Sequence, residues 1–236
     1  MVPKCNDITW VTMLSSKDVV MSMMTCFLGT FNVTFFEGWI TTELDNRDLS
    51  ESATGYVIGG MSFVYLTVCL LFPYTCTKLP RRFLFTISMF GLGGCMLLIG
   101  PSKMFNFEDN LWVVIAGYLT LGLFQVTFFI PIIPEMIERL VVTLNIAEGA
   151  DEYVDEKLND KCNDAYGVVY AFTLFVSPLI GSSMYLKYTG PITCDTIAIV
   201  DFLYGLILLV FNCGPYVFSE NRQFRKNLNS LKKKGE

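Results

Sequence analysis

From Leu111 to Pro134 the chain carries no charged side chain. A bilayer's hydrocarbon core, about 30 Å thick, takes about 20 helical residues to cross, and a continuous apolar stretch of that length suits a membrane better than a soluble core. It has company. Apolar runs of spanning length cover Val19 to Thr41, Gly55 to Thr75, Phe83 to Gly100, Leu111 to Glu135, Asp164 to Lys187 and Thr196 to Phe218. Barrel strands are excluded, because they alternate apolar and polar residues over roughly 10 positions and these runs are longer and continuously apolar. The composition agrees: 53% of the residues are hydrophobic and only 17% charged, against roughly a quarter charged in a soluble domain. The expected fold is all-α, a polytopic membrane protein of six transmembrane helices.

Six spans put both termini on one side. The loops and termini of that side hold fourteen of the 17 lysines and arginines, and the opposite loops hold only Arg47, Lys103 and Lys187. Basic residues stay on the cytoplasmic side, so both termini are expected there, in a plasma, vesicle or lysosome membrane. No secretory leader is read before Val19. The organisation that follows is a linker segment over 1–18, a transmembrane domain over 19–218 and a basic tail over 219–236. Within the domain, residues 139–163 form an acidic cytoplasmic loop, read as a solvated and partly helical linker.

Several chemistries drop out. There is no histidine, which removes the usual imidazole acid–base and the common zinc ligand. The eight cysteines show no metal-type pair spacing, and most lie inside apolar runs as small hydrophobes. No Gly-Lys-Ser/Thr phosphate loop is present. With no nucleophile–base pair in view, an enzyme is not expected, no cofactor is implied, and no nucleic-acid partner is expected.

Five motifs, in order along the chain, carry a resemblance. They are Phe35-Phe36-Glu37-Gly38, the stretch Ser52 to Gly60, Lys78-Leu79-Pro80-Arg81-Arg82, Pro131-Ile132-Ile133-Pro134-Glu135-Met136, and Ser177-Pro178-Leu179-Ile180-Gly181-Ser182. Together they resemble the C-terminal half of major facilitator superfamily transporters, helices seven to twelve, and most of all the vesicular amine and polyamine proton antiporters. Two motifs depart from the family pattern: the basic turn lacks its Gly and Asp, and the last motif has Ser at two of three usual glycines. The resemblance implies secondary transport of a small organic solute, a cationic amine, by exchange against protons. Family members rock two halves about a site between them, so the implied partners are the bilayer, the solute, protons, and an N-terminal six-helix half or a second half transporter. The chain is read as a piece of a longer protein, a half that pairs with another, or a non-transporting scaffold derived from one.

Ionisable groups in spans are functional candidates, since each costs about 2.5–3.5 kcal/mol on insertion scales. Glu37 shares helical spacing with Thr30, Thr34 and Thr41 and is expected to hold a proton and a cation in turn; the alternative is a hydrated boundary residue with Trp39 as interfacial anchor. Thr34, Gln125 and Tyr170 join it as cavity-lining candidates, Tyr170 within the stripe Tyr166, Tyr170, Thr173, Ser177. Asp201, about two turns into the last helix, is either a second cation site or an outer residue wetted from its helix end. Glu135 lies about 36 Å along its helix, past the hydrocarbon core. There Glu135 and Glu138 are expected to form an ion-pair latch with Arg81 and Arg82, such that losing Arg82 mimics losing Glu138.

Overall fold

A computed structural model describes residues 9–75, 79–102, 104–105, 107, 109–144 and 152–213. The expectations for the first residues, the acidic stretch 145–151 and the tail 219–236 lie outside the described residues. Within them the chain is helical, with no strand. The elements are α1 (Trp10–Ser15), α2 (Lys17–Phe35), α3 (Ile40–Asp45), α4 (Glu51–Thr75), α5 (Arg81–Ile99), α6 (Leu111–Leu144), α7 (Glu152–Lys187) and α8 (Gly190–Cys213). Six of them, all but α1 and α3, are long and apolar enough to cross a membrane.

Short polar side chains start the helices. Thr9 Oγ1 accepts from the Thr12 N–H at 3.3 Å, Ser50 Oγ from Ala53 at 3.4 Å and Asn110 Oδ1 from Trp112 at 2.9 Å, each satisfying a backbone donor that the first turn leaves free. α6 runs as one helix through Pro131 and Pro134.

Two boundaries differ from the sequence reading. The first span does not continue to Thr41: α2 ends at Phe35, tight turns follow, and the chain resumes as α3. The break turns Trp39 and Ile40 inward, both 2% exposed, and Trp39 stacks on Tyr185 with ring centroids 4.8 Å apart. Trp39 is therefore a core residue and not an interfacial anchor. At the other end of the bundle, helix takes up much of the stretch read as an acidic loop. α6 persists to Leu144 and α7 begins at Glu152, and Val154, Leu158, Cys162 and Ala165 bury one face of α7 against Met13, Val19, Met136 and Leu140. The remaining face carries the exposed acids Glu156, Asp160 and Asp164.

α5 packs on α6 and α8, α2 on α7 and α6, and α4 on α6. An aromatic core of Phe35, Phe36, Trp39, Tyr118 and Phe128 lies among α2, α6 and the turns after α2. At the end opposite the α6–α7 connection, Arg47 bonds to Glu43 at 2.9 Å and to Asp109. Burial works against the Arg47 charge, but the bonds to these two carboxylates outweigh it and hold the guanidinium above its ordinary pKa.

Candidate functional site

Three polar constellations stand out against the apolar helices. The first gathers charge where α2 and α5 begin and α6 nears its end. Glu135 Oε1 accepts from Arg82 Nε and from Arg139 Nε, each at 2.8 Å, and Asp18 Oδ2 lies 2.9 Å from Arg82 and 3.7 Å from Arg139. Glu135 is 4% exposed and Arg139 7%; two acids and two guanidiniums offset one another there, which a buried charge requires. Arg81 and Glu138 pair separately at 2.6 Å. The pairing corrects one expectation: Glu138 answers to Arg81, and Arg82 to Glu135 and Asp18. Asp18 and Arg139 escaped the sequence reading, although the i,i+4 spacing of Glu135 and Arg139 was a usable signal.

The second constellation lies where α4, α6 and α7 approach. Tyr166 and Tyr170 stack with centroids 5.7 Å apart, and Phe129 of α6 meets Tyr166 edge-on at 6.4 Å and Tyr170 at 6.0 Å. Tyr65 of α4 lies close enough to interact electrostatically with both tyrosines. All four rings are half-buried, as is Gln125 one turn before Phe129 on α6. Glu37 is exposed in the turn after α2, beyond the regular helix. Thr34 is not brought to this surface: it is buried, and its hydroxyl donates to the Thr30 carbonyl at 3.0 Å. The end of α2 at Phe35 also removes Glu37 from the helical register that placed the two on one stripe.

The motif Ser177 to Ser182 is the seam between α7 and α2. Ser177 Oγ donates to the Phe31 carbonyl at 2.7 Å and Ser182 Oγ to the Gly38 carbonyl at 3.2 Å. A Cβ on Gly181 would strike the Phe35 carbonyl, and one on Gly38 would strike Ser182 and the Pro178 carbonyl. Close approach of two backbones explains the small residues there.

The third constellation is inside the bundle. Asp201 of α8 is fully buried, so it is not wetted from its helix end. Its Oδ1 accepts from Asn32 Nδ2 at 2.8 Å, and the same nitrogen donates to the Leu28 carbonyl at 2.8 Å. A turn further along α8, the Tyr204 hydroxyl donates to the Met21 carbonyl at 2.9 Å and lies 3.0 Å from Thr25 Oγ1. Asn32 also escaped the sequence reading; a lone amide in an apolar span was its only signal. Among the described residues, no three His, Cys, Asp or Glu side chains converge as a metal would require.

The fold and these sites define a polytopic all-α membrane protein of six spans, three of which, α2, α5 and α6, are tied at one end by a buried ion-pair cluster, with an aromatic cluster on α4, α6 and α7. The chain is similar to the MFS-type transporter SLC18B1 of Mus musculus, 23% identical over 173 residues that make up 69% of this chain and 33% of the relative. The Homo sapiens SLC18B1 is 23% identical over 154 residues, 61% of this chain and 30% of that protein. Neither a protein-family profile nor a solved structure matches. With six helices long and apolar enough to cross a membrane, the chain is a polytopic membrane protein that is similar to major-facilitator-type transporters over more than half of its length. It spans about a third of the length of the curated relatives it matches.

Proposed function

We propose that this chain is the C-terminal half of a secondary transporter, moving a small cationic amine in exchange for protons, with both termini cytoplasmic. The observation that carries the reading is the cluster of Tyr65, Phe129, Tyr166 and Tyr170. Ring faces attract an ammonium by about 0.5–2 kcal/mol, more when water is excluded, and these rings come from three helices with no carboxylate spent among them. Glu37 supplies the exchangeable charge: it is exposed in the turn after α2, and it holds a proton or the amine but not both. Gln125 lies one turn from Phe129 and supplies a polar contact. Thr34 supports α2 from within.

The arrangement also needs a second wall. α4 and α7 are the most exposed helices, with 6% and 17% of their apolar windows buried against 61% for α2. A complementary six-helix half on that side would close the aromatic patch into a site between halves, the geometry that rocking transport uses. The ion pairs around Glu135 would then bias one of the two states at the cytoplasmic end.

The test is uptake into proteoliposomes holding this chain with a complementary half, under an imposed pH gradient. Glu37→Gln keeps shape and hydrogen bonding but cannot ionise; uptake is expected to stop while insertion is unchanged, and Glu37→Asp is expected to keep part of it. Tyr170→Ala is expected to weaken amine affinity about tenfold, or about 1.4 kcal/mol. Uptake at the unmodified rate by Glu37→Gln, or an unaltered amine affinity in Tyr170→Ala, would remove the basis for the amine-exchange reading.

A further inference from the structure

Asp201 poses a question that the transport reading does not answer. It is 0% exposed, as is Asn32. One oxygen of each, Asp201 Oδ2 and Asn32 Oδ1, is buried without a hydrogen-bond partner. The groups facing Asp201 leave it no counter-charge. α2 offers the neutral amide of Asn32, α5 offers the Cys95 thiol, and the neighbouring titratable group on α8 itself is Tyr204, already bonded to Thr25 and Met21. Among the described residues, no Lys or Arg forms an ion pair with Asp201. An ionised carboxylate here would therefore keep a single hydrogen bond from Asn32, with its second oxygen buried and without a donor. A buried charge without a partner or water is among the least favourable arrangements in a protein.

One proton resolves both orphans. A carboxylic acid beside a primary amide closes a ring of two hydrogen bonds: the amide N–H donates to one carboxyl oxygen, and the acid O–H donates to the amide oxygen. The first of these bonds is present, and the two atoms the second would join are the two left without partners. We propose that Asp201 is a proton-holding site, its Oδ2–H donating to Asn32 Oδ1 so that the acid–amide ring clasps α8 to α2. The proton is taken from water and returned to it. Its loss would set two acceptor oxygens against each other and release the clasp, which makes the seating of α2 on α8 depend on the proton. A sodium ion in the same place would need several oxygen ligands beyond Asp201 Oδ2 and Asn32 Oδ1, the two oxygens of this pair left without partners. The proposal rests on the proton-exchange reading only for its place in transport; the ring stands without it.

The experiment is infrared spectroscopy of the purified full chain in lipid nanodiscs at neutral pH, in water and in deuterated water. A protonated carboxyl gives a carbonyl band clear of the amide bands, and deuteration moves it. Asp201→Asn keeps a complementary amide pair without an acid, so the band is expected to vanish with the helical content unchanged. Asn32→Ala removes the bond to the carbonyl oxygen, so the band is expected to persist at higher frequency; this variant decides the matter if Asp201→Asn does not fold. Glu37→Gln is expected to leave the band in place, which separates failure of this proposal from failure of the transport reading. Spectra of Asp201→Asn and Asn32→Ala superimposable on that of the unmodified chain overturn the proposal. So does a stabilisation by sodium over potassium that Asp201→Asn abolishes.

Discussion

Gly181 shows how a single residue sets the spacing of two spans. Its missing Cβ lets α7 reach the Phe35 carbonyl, and the contact is fixed on either side by Ser177 and Ser182 bonding to α2 and the turn after it. Gly181→Val is expected to destabilise the chain by about 1–3 kcal/mol, the usual cost of overpacking, because the opposing atom is backbone and cannot swing away. Gly94→Ala, where the added carbon meets nothing within 4 Å, serves as the control and is expected to be neutral or slightly stabilising through helix propensity. Thermal melts of the two purified variants make the comparison. At this scale the sequence was partly readable. Serine in place of glycine in the Ser177 to Ser182 motif looked like a departure from pattern, yet each serine that flanks Gly181 in the seam bonds a carbonyl of the partner segment. Asn32 was not readable, since what makes it matter is Asp201, distant in sequence and brought beside it by packing.

Between elements, magnitude separates the two groups of ion pairs at the α2–α5–α6 end. Glu135 answers two guanidiniums and is almost wholly buried, so Glu135→Ala removes the buried acid that Arg82 and Arg139 share. Removing one partner of a buried pair costs about 3–5 kcal/mol, and a loss of that size is expected in denaturation of the purified chain. Arg81 and Glu138 are more open, with side chains 34% and 24% exposed, so Glu138→Gln is expected to cost only about 0–1 kcal/mol. A loss at Glu138 as large as at Glu135 would contradict this division. The helices themselves were legible because each span is a long apolar run. Their ends were not, for opposite reasons. α2 stops early because the turn at Gly38 lets Trp39 and Ile40 bury inward, which no apolar count reveals. α7 starts early because Val154, Leu158 and Cys162 repeat at helical spacing beneath a strongly acidic face, and the acids dominated the reading. The ion pairs were legible as opposite charges at one end of the bundle, but which residues pair depends on how α5 and α6 lie side by side.

For the molecule as a whole, the uneven burial of the spans raises the question of what covers α4. Lipid alone is a sufficient neighbour for Tyr56, Phe63, Leu66 and Leu70, all exposed. It is a poor reason for Ser52, Gly55, Gly59 and Ser62, which recur on the exposed side of the same helix. Small residues at this spacing let helix backbones approach closely, and in a bilayer such packing is a main source of association. The proposed second half gives that stripe an occupant, and the relatives, about three times as long as the segment they share with this chain, have the length to contain one. Gly59→Leu separates the two explanations. A Cβ at Gly59 meets nothing within 4 Å, so the six-helix unit is expected to fold and melt as before. Pairing with a complementary six-helix half, followed by co-purification or native mass spectrometry in lipid nanodiscs, is expected to be lost, because a leucine would hold the two backbones apart. Pairing that survives Gly59→Leu unweakened would assign the α4 face to lipid and leave α7 as the wall to which a second half must dock.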